Sequence, residues 1–149
     1  MTREQLGLGQ DPKVLRLPDG LEVVEADRFS SSDIRKLVIS NTVRRLGDRA
    51  FRGCYRLREV LFEPGSRLET IGSYCFGSCS IEQMVIPRSV RDIGELAFSG
   101  CKYLRSLVFE DGCQLEHVGR NVLLHTPLED EYGLFPRAKR ADGDAGARQ

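Results

Sequence analysis

The sequence predicts an α/β solenoid, a coil of short repeats in which each turn gives one strand to a parallel sheet and returns through a brief helical or 3₁₀ segment. Three observations carry this. Apolar marks recur at fixed offsets over residues 12–127, the front of each repeat alternates apolar and variable positions, and the back spaces its apolar residues by three and four.

The repeat is plainest at residues 81–103, where Ile81, Met84, Ile86, Val90, Ile93, Gly94, Phe98 and Cys101 mark eight positions. Residues 34–56 place Ile34, Leu37, Ile39, Val43, Leu46, Gly47, Phe51 and Cys54 at the same offsets. Residues 57–80 supply Leu57, Val60, Phe62, Leu68, Ile71, Gly72, Phe76 and Cys79. A further copy at 104–127 keeps Leu104, Leu107, Phe109, Leu115, Val118 and Gly119 but has Leu123 and Thr126 in place of Phe and Cys. The earliest copy, 12–33, is degenerate, with Leu15, Leu17, Leu21, Val24, Phe29 and Ser32. Five repeats are therefore expected. Long and short turns alternate among them: four steps separate Ile39 from Val43 and Ile86 from Val90, against six from Phe62 to Leu68 and from Phe109 to Leu115.

Each front segment, such as Leu57 to Phe62, has the period of a strand with one buried face. Each back segment, such as Leu68 to Cys79 with apolar residues at 68, 71, 75, 76 and 79, reads as a helical or 3₁₀ return. A single repeat cannot bury its apolar edge alone, so neighbours must stack and bring equivalent side chains into ladders. The ends of such a stack need covers. Residues 1–11 form an N-terminal extension or cap, and 128–149 form a tail in which Leu134 and Phe135 are placed to fold over the last coil while 137–149 read as disordered by composition.

Composition excludes several classes. Lys plus Arg equals Asp plus Glu at 22 each, so no overall field favours a polyanion or an anionic membrane. Apolar runs such as Val122–Leu124 fall far below the roughly 18–20 residues of a membrane span. The first residues carry no apolar stretch of the secretory kind. With an odd count of five cysteines, this favours reduced thiols and a cytoplasmic location, a cell surface being open to a longer exported parent.

The phrase Ile86-Pro-Arg-Ser-Val-Arg-Asp-Ile-Gly-Glu-Leu-Ala-Phe-Ser-Gly-Cys101, followed by Leu104-Arg-Ser-Leu-Val-Phe109, resembles the BspA-type leucine-rich repeat family. The likeness is close over 34–127 and loose over 12–33. It implies a right-handed superhelix with one parallel sheet on the concave face and the helical returns on the convex side. It also implies adhesion or interaction with other proteins and brings no enzymatic activity.

Candidate sites follow from the frame. Cys54, Cys79 and Cys101 share one repeat position and are expected inside the coil, Cys75 falls in the small slot held elsewhere by Ala50 and Ala97, and Cys113 lies in a turn. Neither they nor His117 and His125 have metal or redox spacing, so no cofactor, metal or catalytic residue is assigned. The binding candidate is the row pointing away from the core, Val38, Leu61, Val85 and Val108, flanked by Lys36, Glu59 and Gln83 on one side and Glu63 and Glu110 on the other. Exposed apolar side chains with a polar rim are what interfaces present. A protein partner on this row is the expected function, with a structural fragment of a longer repeat protein as the alternative. A second patch, Arg44, Arg45, Arg49, Arg52, Arg56 and Arg58 with Tyr55, offers an anionic partner a charged surface, although nucleic acid is not expected of a neutral chain.

Overall fold

The computed structural model describes residues 13–131, 133, 135 and 136, and the backbone of 139–140. The longer strands are β1 (Val14–Arg16), β3 (Lys36–Ile39), β5 (Glu59–Phe62), β7 (Gln83–Ile86) and β9 (Ser106–Phe109), one from each predicted front segment. Between them run two-residue strands, β2 (Val23–Val24), β4 (Arg45–Leu46), β6 (Thr70–Ile71), β8 (Asp92–Ile93) and β10 (His117–Val118), and β11 (Lys139–Arg140) follows. All pairing is parallel. The short strands form one continuous sheet in the order β11-β10-β8-β6-β4-β2, whereas the long strands form two pieces, β1-β3-β5 and β7-β9.

The expected helical return is corrected by this second sheet: the described residues contain almost no helix. The returning segment is a two-residue strand followed by two left-handed positions four residues apart. Leu96 and Gly100 have φ of 59° and 78°, Arg49 and Gly53 have 58° and 76°, and Tyr74 and Ser78 have 57° and 59°. A right-handed helix cannot pass through such residues, yet two of them four apart give the same three-and-four apolar spacing. The amides are spent between coils instead of within one. Asp27, Phe29 and Ser31 donate to the carbonyls of Asp48, Ala50 and Arg52 at 2.8–2.9 Å, and Arg49, Phe51 and Gly53 donate to Ser73, Cys75 and Gly77 at the same lengths.

Equivalent side chains stack as coils do. Phe29, Phe51, Phe76 and Phe98 form a column with ring centroids 5.5, 5.5 and 5.8 Å apart and planes within 10°. Beside it the thiols donate to the preceding coil: Cys54 to the Phe29 carbonyl at 3.2 Å, Cys79 to Phe51 at 3.3 Å and Cys101 to Phe76 at 3.0 Å. The hydroxyls at the equivalent positions bond differently: Thr126 donates to the Leu123 carbonyl of its own coil at 2.7 Å, and Ser32 Oγ lies 3.4 Å from Cys54 Sγ. All five cysteines are free, and all but Cys113 are buried. At the far end Phe135 is buried against Phe109 at 5.5 Å, and β11 pairs with β10. Leu134 and residues 141–149 lie outside the described residues.

Gly47, Gly72 and Gly94 occupy the corner after each short strand for a steric reason. A Cβ on Gly94 would sit 2.5 Å from the Ser73 amide nitrogen, and one on Gly72 would sit 2.6 Å from the Gly47 carbonyl carbon. Backbone cannot retreat as a side-chain tip can. Gly94→Ala is expected to lower stability by about 1–3 kcal/mol, despite the gain of up to ~1 kcal/mol that the stiffer unfolded chain would bring. Urea denaturation checks this; an unchanged midpoint would mean that the coils separate freely at this corner.

Candidate functional site

The outward row is set by strand register. Arg16 lies opposite Val38 and Val38 opposite Leu61, while Val85 lies opposite Val108 in the second piece of the sheet. Leu61, Val85 and Val108 are 42%, 51% and 51% exposed, but Val38 is only 6% exposed. That corrects the four-residue patch to three. The cover over Val38 comes from charge: the Arg16 guanidinium on β1 reaches the Glu63 carboxylate just past β5, at 3.7 Å, and so crosses the strand between them. The stem of a long cationic side chain shields apolar surface in this way.

The flanking residues divide by what they touch. Lys36 and Glu59 are register partners and pair at 3.8 Å, and Gln83 is exposed opposite Ser106. Glu63 and Glu110 do structural work as well. Their carboxylates accept the amides of Asn41 at 3.2 Å and Arg88 at 2.8 Å, one coil earlier. The start of each long turn thus supplies a carboxylate to an amide of the short turn before it.

Around Leu61, Val85 and Val108 the surface opens into a groove of about 800 Å³ along the gap between β5 and β7. Its walls add Arg58, Glu82 and Arg105 at one end and Pro64 and Pro87 at the other. Arg58 and Arg105 were not singled out from the sequence as part of this face. The signal for them was present, because Arg35, Arg58 and Arg105 all follow the first apolar mark of their repeats.

The six-arginine run does not form one free patch. Arg44 lies 3.7 Å from Glu69 and 4.0 Å from Glu22, and Arg56 lies 3.5 Å from Asp33. Arg49 donates to both oxygens of Asp27, holding that carboxyl below its ordinary value, and Arg52 sits 4.9 Å over the Tyr74 ring. Arg58 belongs to the groove. On the short-strand sheet, His117 Nδ1 lies 2.7 Å from Asp92 Oδ1. Among the described residues no group of three or more His, Cys, Asp or Glu side chains could hold a metal ion, and no helix is long and apolar enough to cross a membrane.

With stacked parallel strands, recurring Phe and Cys columns and Gly corners in place, the family model for the BspA type leucine rich repeat region fits six copies over residues 22–132. The chain belongs to the BspA-type leucine-rich repeat family. Among solved structures, this BspA-type chain is similar to the pneumococcal vaccine antigen PcpA, with 23% identity over 79% of this chain and 33% of that one, at a TM-score of 0.70. It is similar also to a T. pallidum leucine-rich repeat protein, with 26% identity over 72% of this chain and 58% of that one, at 0.57. A leucine-rich cell surface protein from Faecalibacterium prausnitzii shares 19% identity over 74% of this chain and 35% of that one, at 0.50. The chain therefore spans between a third and three fifths of the length of these structures. No curated protein matches it.

Proposed function

We propose that this BspA-type repeat is a protein-recognition module whose partner docks on the long-strand face, the side that the family likeness makes concave. The observation that supports it is the exposed row Leu61, Val85 and Val108, half-exposed apolar residues at equivalent positions of successive long strands, lining a groove. Desolvating such a row is favourable at roughly 25 cal/mol per Å², and the surrounding Lys36, Glu59, Gln83, Glu63 and Glu110 give the polar rim that orients a partner. The repeat positions carry packing residues, and the chemistry of the face is that of binding.

The cytoplasmic placement expected from the sequence gains no support from the family comparison. We infer instead that the module acts at a cell surface as part of an exported protein, the setting named for the Faecalibacterium structure. Protease treatment of intact cells tests it: digestion of the module without lysis supports this, and protection until lysis overturns it.

For the face itself, Val85→Glu is expected to weaken capture of the partner by about 2 kcal/mol, near thirtyfold, because it puts an unpaired charge into the centre of the contact. Affinity capture with both proteins, the fold checked by circular dichroism, decides the matter. Equal capture by wild type and variant would remove the face from consideration.

A further inference from the structure

The break in the long-strand sheet coincides with missing main-chain bonds at both ends of β7. In neighbouring coils an amide just past the strand donates to the coil before, Glu63 to Ile39 at 3.0 Å and Glu110 to Ile86 at 3.0 Å. The equivalent residue after β7 is Pro87, which has no N–H to offer the Phe62 carbonyl. At the other end Arg58 donates to the Arg35 carbonyl and Arg105 to that of Glu82, both at 2.9 Å, with no such bond from Glu82 to Arg58. No ladder pair joins β5 to β7, so two strand edges face each other across the groove.

The charges along this groove are unequal in availability. Glu59 has Lys36, Glu63 has Arg16 and the Asn41 amide, and Glu110 has the Arg88 amide and, at 3.9 Å, its guanidinium. Among the described residues Arg58 and Arg105 have no ion-pair partner, nor does Arg35 just before β3, against the unpaired carboxylate of Glu82 between Arg58 and Arg105. The groove thus has an apolar middle, a self-satisfied end at Glu63 and Glu110, and an end where two arginines face one carboxylate.

Resting on the reading of this face as the docking surface, we propose that the groove over β5, β7 and β9 seats a short extended segment of the partner. Its apolar residues lie on Leu61, Val85 and Val108, and two acidic side chains at one end engage Arg58 and Arg105. These arginines flank β5 and β9, with β7 between them, so each takes its own carboxylate, and arginine offers a carboxylate two parallel N–H donors. A nucleic acid fits this groove poorly, since Glu59, Glu63, Glu82 and Glu110 line most of its length and repel phosphates.

The probe is a fluorescent, N-acetylated peptide Asp-Asp-Val-Leu-Val, with Asn-Asn-Val-Leu-Val and Lys-Lys-Val-Leu-Val beside it, followed by anisotropy and by amide chemical shifts. The acidic peptide is expected to bind at least about tenfold more tightly than either control and to shift Leu61, Val85 and Val108. The double variant Arg58→Glu and Arg105→Glu should lose that preference and favour the lysine peptide. Should that variant fail to fold, Arg58→Gln with Arg105→Gln must remove the preference. Equal affinities, no binding by any peptide at millimolar concentration, shifts on the short-strand sheet, or displacement of the peptide by a thymidine oligonucleotide would each overturn the proposal. If Val85→Glu abolishes capture of the protein partner and the arginine variants leave it intact, the docking face stands and the acidic segment falls.

Discussion

Phe76→Ala is expected to cost about 3–5 kcal/mol, the range for truncating a fully buried aromatic residue, and to lower the melting temperature by roughly 6–20 °C in a chain of this size. The ring has no exposure and touches a ring on each side, Phe51 at 5.5 Å and Phe98 at 5.8 Å. Removing it empties two contacts at once, and the backbone cannot close the void, because the Phe76 amide is tied to the Ala97 carbonyl at 2.9 Å and its carbonyl accepts the Cys101 thiol. In a solenoid each coil is held only by its neighbours. Phe29→Ala, at the half-buried end of the column with one ring partner, serves as the control and should cost roughly half as much. Calorimetry of both variants tests the claim. Equal losses would show that the column does not act through paired contacts.

The second large effect is alkaline destabilisation. Burial raises the thiols of Cys75, Cys79 and Cys101, the last to about 12 from an ordinary value near 9. In the unfolded chain all three ionise near 9, so the folded state holds three more protons above that pH. Stability is fully present below pH 9 and falls as pH rises further, by about 1.4 kcal/mol per unit for each thiol, near 4 kcal/mol per unit together. Cys54 has the opposite sign. The neighbouring Cys79 thiol outweighs burial and, with Ser32 adding to the effect, holds it at about 7, so its contribution grows between pH 7 and 9 and is constant beyond. Urea midpoints should therefore peak near pH 9 and drop steeply above it, with Cys75→Ala removing about a third of the alkaline slope. A flat alkaline profile would show that these thiols are not kept protonated by the fold.

The family and the order of its strands were legible because packing repeats what it needs: Phe51, Phe76 and Phe98 recur for the ring column, and Gly47, Gly72 and Gly94 recur because a Cβ would strike the preceding coil. The return was misread because spacing alone cannot tell a helical turn from paired left-handed turns. Gly53 and Gly100 hinted at the second left-handed position, but Arg49, Tyr74 and Leu96 at the first carry no such mark. The binding row was legible as an alternation. Its limits were not, since Val38 is covered by the Arg16 side chain reaching across β3 to Glu63. Pro87 was visible, but what it does depends on which carbonyl lies opposite, and that only stacking reveals.

The two sheets of this coil differ in continuity, and the difference is mechanical. The short-strand sheet runs unbroken from β2 to β11, while the long-strand sheet is interrupted between β5 and β7. Bending the coil about its short-strand side at β6 and β8 widens the interruption without breaking a ladder hydrogen bond on the long-strand side, because none spans it. The molecule therefore has a laddered spine on one side and an unladdered seam on the other, and the groove lined by Leu61, Val85 and Val108 lies over that seam.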